Sequence, residues 1–179
     1  MKSTLAILFS LMLLTVAVGV DARWDPAELA ERTAKAEEAV AALLEKDPKM
    51  QRFFDAAPGY VVIPTVGKAG FGVGGARGKG VLYENGAVTA LVTLTQLSIG
   101  FQWGGQAYSE YIFFEDQATL DNFKEGNFEL NAQVSAVAVT LGASADASFE
   151  DGMAIFTMAK GGLMYEAAVG GQKFKVETR

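Results

Sequence analysis

The chain contains no cysteine and no histidine. Thiolate nucleophiles, disulfide frameworks, zinc fingers and imidazole bases are therefore excluded, and with them Ser-His-Asp and Cys-His catalysis. Paired carboxylates in an evident acid/base arrangement are also missing from the pattern. Asp146, Glu150 and Asp151 gather near one turn, but too sparsely for the dense oxygen alternation of a calcium loop, and read as a solvated turn. An enzyme would be left with carboxylate, Ser/Lys or Tyr chemistry, which no motif here supports. The expectation is a non-enzymatic protein with no cofactor and no metal. Net positive charge is lacking too: 15 Lys and Arg stand against 21 Asp and Glu, a balance of -6. Such a chain is a poor general binder of nucleic acid, and its attraction to anions has to be local.

Glycine, by contrast, is abundant, and its densest stretch is Tyr60–Glu84, YVVIPTVGKAGFGVGGARGKGVLYE. An apolar run broken by Pro64 leads into Gly70, Gly72, Gly74, Gly75, Gly78 and Gly80, and a second apolar run, Val81–Tyr83, follows. Glycine this dense is costly in a strand. It is tolerated where a sheet bends sharply or where something approaches the backbone closely. Lys68, Arg77 and Lys79 sit inside this stretch. Exposed N–H groups in glycine turns bind anions, and Lys and Arg add charge-assisted bonds. These three form a candidate anion site; the competing reading is ordinary solvated charge on a glycine-rich hairpin.

Met1–Ala22 reads as a secretory signal, with Lys2 in the n-region, an apolar Leu5–Val18 and a small-residue site at Val20-Asp21-Ala22. The alternative is a membrane anchor, but the run is shorter than the ~20 residues a spanning helix needs. No cysteine follows it, which excludes an acylated lipoprotein. The expected location is periplasmic or secreted, with residues 23–179 as one domain. Removing residues 1–22 takes away Lys2 and Asp21, one charge of each sign, and leaves the balance at -6.

Asp25-Pro26 opens a helix, with Asp25 as N-cap, Pro26 at the first position and Glu28 in a capping-box-like place. Leu29, Thr33, Ala36, Val40, Leu43 and Leu44 recur at helical spacing. A membrane-surface helix would carry a basic polar face; this face is mixed and slightly acidic, so the stripe is expected to pack on the protein's own sheet. Asp47-Pro48 starts a short second helix carrying Phe53 and Phe54 as core plugs. From Tyr60 the pattern is strand-like. Asn85-Gly86 and Asp151-Gly152 are hairpin signals, and Asp116–Lys124 is a short helix ended by Gly126. Strands are expected over Ala87–Leu97, Ser98–Trp103, Gln106–Phe114, Gln133–Leu141, Met153–Met158, Leu163–Val169 and Lys173–Glu177. Several are apolar on both faces, and such strands are covered on both sides. The fold class is therefore α+β, with N-terminal helices packed on a strongly curved antiparallel sheet or partial barrel of about seven to eight strands.

Gly70-Phe71-Gly72-Val73-Gly74-Gly75 formally matches the dinucleotide-binding pattern. It fails its context, since that motif must open a helix. A phosphate-loop reading fails because Gly80, not Ser or Thr, follows Gly78-Lys79. Trp103, Tyr108, Tyr111, Phe113 and Phe114 read first as core rather than as a pocket lining.

The segments GKAGFGVGGARGKGVLY and TLTQLSIGFQWGGQAYSEYIFF resemble the SYLF domain family, and the resemblance continues through FKEGNFELNAQVSAVAV and AKGGLMYEAAVGGQKFKV. It covers about residues 30–177. The resemblance implies lipid binding; members in eukaryotes are associated with phosphoinositides, and some with actin. The expectation is an exported lipid- or membrane-associating domain. Lys68, Arg77 and Lys79 would capture an anionic phospholipid head group, and Phe71 would enter the apolar layer. The alternative is a structural or protein-interaction module of the cell envelope, with an envelope protein as partner.

Overall fold

The computed structural model describes residues 24–100, 106–131, 134–161 and 169–178, with backbone alone at 70–73, 98–100 and 127. The expected signal segment, Trp103, most of the Leu163–Val169 strand and the side chain of Phe71 lie outside the described residues. Helix α1 (Pro26–Lys46) starts where the sequence places it: Asp25 Oδ1 accepts the Ala27 N–H at 2.9 Å, a cap worth about 1 kcal/mol. Asp47 ends α1 and caps a single 3-10 turn at Pro48–Met50, and α2 (Gln51–Ala56) follows. Then come β1 (Gly59–Glu84), β2 (Ala87–Gly100), β3 (Gln106–Phe114), α3 (Gln117–Lys124), β4 (Asn127–Glu129), β5 (Val137–Ala138), β6 (Met153–Ala159) and β7 (Lys173–Thr178).

The strand order is β4-β7-β2-β1-β3-β6-β5. The second half of β1 pairs with β2, from Gly72↔Gly100 to Glu84↔Ala87, and the first half pairs with β3, from Tyr60↔Phe113 to Lys68↔Gln106. The two halves also touch each other in antiparallel sequence. Tyr60 stacks on Tyr83 at 5.1 Å. A Cβ on Gly59 would meet the Tyr83 carbonyl, one on Gly80 would meet Val62 and Ile63, and one on Gly78 would meet Ile63 and Val66. β1 therefore makes two passes through the sheet, and its glycine-rich middle lies at the fold-back. With β1 counted twice the sheet has eight passes and curls into a half-barrel, the α+β architecture the sequence predicts. The register shift between Ile63 and Val66 spans Pro64, which lacks the N–H a regular ladder would use. At the β1–β2 turn, Asn85 and Gly86 both take positive φ (51° and 76°), as do Asp151 and Gly152 (51° and 78°), the geometry of a two-residue hairpin.

One segment differs from the sequence reading. Of Gln133–Leu141 only Val137–Ala138 forms a strand, and it runs parallel to β6. Its valines favour a strand, but it lies at the sheet edge with β6 as its one partner among the described strands, and only Val137↔Phe156 and Ala138↔Thr157 pair. Position 133 itself lies outside the described residues.

The sheet has a core on each face. On one side α1, the 3-10 turn and α2 supply Ala36, Ala39, Leu43, Met50 and Phe53 against Val62, Val81, Tyr111 and Phe156. Phe54, half-buried, meets Tyr60 and Phe113 edge-on. Tyr111 OH donates to the Ala39 carbonyl at 2.8 Å and fixes the helix on the sheet. On the inner, concave side α3 supplies Leu120 and Phe123 against Ile63, Leu82, Leu94, Ile112, Phe114 and Phe174. Glu110 is also there, fully buried, opposite Thr157 on β6. Its Oε2 accepts from Gln172 Nε2 at 2.9 Å, while Oε1 and Thr157 Oγ1 have no partner among the described residues. Burial pushes the Glu110 carboxyl up to about 8.

Two tests follow from this packing. An unfolded glutamate titrates near 4.5 and the folded Glu110 near 8, so between those values the native state holds a proton that the unfolded chain releases. The stability this proton carries is complete below about 4.5 and lost as pH rises through about 8. Thermal melts at pH 5 and pH 9 should show a loss of several degrees in the wild type that Glu110→Gln largely removes. Gly80→Ala would drive a Cβ into the Val62 carbonyl and should cost about 1–3 kcal/mol in urea titrations. Gly67→Ala faces open space and should stay within about 0.5 kcal/mol.

Candidate functional site

The outer face of the sheet is only partly covered by α1. Where α1 begins, its first three turns lie beside the β1 fold-back and leave a groove of about 440 Å³. Glu28, Glu31, Arg32 and Lys35 line it from the helix, and Pro64, Thr65, Arg77, Gly78 and Lys79 from β1. Helical spacing explains the first set: Glu28 and Arg32, and Glu31 and Lys35, are i,i+4 pairs that share one face. Strand alternation explains the second. Ala76 points into the concave core, so Arg77 and Lys79 point out.

Charge in the groove is partly spent. Glu28 Oε1 accepts from Arg32 Nη2 at 2.6 Å and from Lys79 Nζ at 2.9 Å, and Lys35 pairs with Glu31 at 2.6 Å. Arg32 also sends Nη1 to the carbonyls of Gly80 and Val92, each at 3.3 Å, which pins the start of α1 to the sheet. Hydrogen bonding from Lys79 and then Arg32 pulls the Glu28 carboxyl down to about 2. Arg77 is exposed and makes no hydrogen bond or ion pair among the described residues. The groove thus sets four cations against two carboxylates, with one guanidinium free for an incoming anion.

Of the four residues singled out in the sequence, the fold brings Arg77 and Lys79 together in this groove. Lys68 does not line it; two residues beyond the inward-facing Val66, it lies on the other face of β1. Phe71 sits in β1 at the fold-back, with its side chain outside the described residues. The sequence reading missed Arg32 and Lys35, which belong to the mixed, slightly acidic polar face of the first helix; the i,i+4 spacing with Glu28 and Glu31 was visible, but not which sheet face it would meet. Asp146, Glu150 and Asp151 are exposed.

The geometry defines a small α+β half-barrel that presents a cationic groove between its first helix and its glycine-rich strand. Comparison with known proteins adds the family. The family model Ysc84, described as Las17-binding protein actin regulator, matches residues 95–179. Residues 95–179 therefore belong to the Ysc84, or SYLF, family, the one that the sequence motifs resemble. Beta cell expansion factor A of Aeromonas veronii is 30% identical over 145 residues, which is 79% of this chain and 54% of that relative. The chain spans about half the length of the curated relative it matches. Neither description is that of an enzyme.

The Glu28 cluster is directly measurable. In an NMR pH titration Glu28 should show its midpoint near 2 in the wild type, and Lys79→Ser should move it up toward the ordinary glutamate range.

Proposed function

We propose that this protein is an exported, non-enzymatic domain that associates with membranes by taking anionic lipid head groups into the groove between α1 and β1. The observation that carries the reading is the free Arg77 guanidinium beside Arg32, Lys35 and Lys79, in a chain whose overall charge is negative. Arg and Lys clusters bind phosphate through charge-assisted hydrogen bonds, and a local cationic groove on an acidic protein confines that attraction to one place. The residues assigned are Arg77 and Lys79, helped by Arg32 and Lys35. Residues 1–22 serve as the export signal in this reading. A second reading, a protein-interaction module, is favoured by the description of the matched family as Las17-binding.

Co-sedimentation with vesicles separates the two. Binding to anionic and not to neutral vesicles is expected, weakened several-fold at high salt because exposed charge contacts are screened. Arg77→Ser combined with Lys79→Ser should abolish it, whereas Lys68→Ser should leave it intact. Binding unchanged in the double variant would sink the groove assignment. No binding to either vesicle would move the function to a protein partner.

A further inference from the structure

Arg77 borders a second hollow. On the same outer face, nearer the fold-back of β1, lies an open trough of about 640 Å³. Its floor is Gly67, Ala69 and Gly75, and one wall is Leu97, whose surface is 87% exposed. The hollow exists because the outward positions on both passes of β1 are glycine or alanine there; a Cβ on Gly67 would meet nothing within 4 Å. Its far rim is Lys173, which is paired with Glu129 at 3.3 Å and so offers no free charge. Arg77 is the one residue shared by the cationic groove and the trough.

We infer that the trough holds the acyl chain of a single anionic amphiphile whose head group sits at Arg77, so that the protein binds individual lipid molecules and not only a membrane surface. The inference rests on the head-group reading above and extends it. The argument is continuity and complementarity. An anion drawn to Arg77 by its unpaired charge has the cationic groove on one side and an apolar channel of ligand size on the other. A chain laid in that channel covers Leu97, and removal of such a side chain from water is favourable. Paired charge at the far rim leaves Arg77 as the anionic end and sets the direction of the chain.

The test uses monomeric dodecyl phosphate and butyl phosphate, both kept below micelle formation, with calorimetric binding to the purified protein. Dodecyl phosphate should bind at least about tenfold tighter than butyl phosphate, because each buried methylene adds to affinity. Gly67→Leu, which fills open space, should erase that difference, and the surface change Leu97→Ser should reduce it. Arg77→Ser should weaken both ligands. Equal affinity for the two phosphates, lost in Arg77→Ser, would overturn the trough and leave the head-group site standing. A chain-length preference untouched by both Gly67→Leu and Leu97→Ser would place the chain elsewhere and overturn the inference. No binding of either phosphate, together with no binding of anionic vesicles, would remove the head-group reading as well. Self-association abolished by Leu97→Ser, without response to dodecyl phosphate, would assign the trough to a second copy.

Discussion

Backbone approaching backbone inside β1 is the constraint on which the molecule rests. Val62 and Ile63 lie so close to the second pass that Gly78 and Gly80 have no room for a side chain. That approach sets the curl of the sheet, stacks Tyr60 on Tyr83 and brings Thr65 level with Arg77 and Lys79 at the groove. Glycine costs conformational entropy, so a chain that spends so much of it in one strand needs large cores on both faces. The aromatic clusters around Phe53, Phe113 and Phe156, and around Phe114, Phe123 and Phe174, meet that need.

Two glutamates illustrate how position decides charge. Glu28 at the surface, with two cations hydrogen-bonded to one oxygen, is held down near 2. Glu110, deep in the concave core with a single amide donor, is pushed up to about 8 by burial. The first stays ionised and organises the groove. The second is pushed toward its neutral form by burial, which is how a carboxyl can share the inward row of β3 with Ile112 and Phe114 with no cation paired to it among the described residues.

Much of the architecture was legible in local chemistry. Asp25-Pro26, Asp47-Pro48 and Asp116 fixed helix starts because caps act over two or three residues. Asn85-Gly86 and Asp151-Gly152 fixed turns because positive φ restricts residue choice. The fold-back of β1 was visible only as excess glycine; which residues it would place opposite Gly78 and Gly80 depends on pairing at a distance. The same gap explains the site. Arg77 and Lys79 were found because they sit beside the glycines. Lys68 was grouped with them by sequence proximity, although strand alternation turns it to the other face. Arg32 and Lys35 belong to the groove through tertiary packing, which helical periodicity alone does not reveal. Glu110 was hidden in an apolar run, although its parity with Tyr108 and Ile112 marks an inward position.

The position of β7 in the sheet has a consequence for how the chain folds. β7, Lys173–Thr178, lies between β2 and β4, and β4 has no other neighbour among the described strands. Until β7 docks, the edge of β2 from Ala90 to Thr95 lacks this partner and Phe123 lacks its contact with Phe174. Closure is therefore a late event that joins sequence-distant segments, and such pairings form slowly. Before that closure the chain carries an unpaired edge that invites wrong partners. The two cores therefore close together, in the single step that seats this strand between its neighbours.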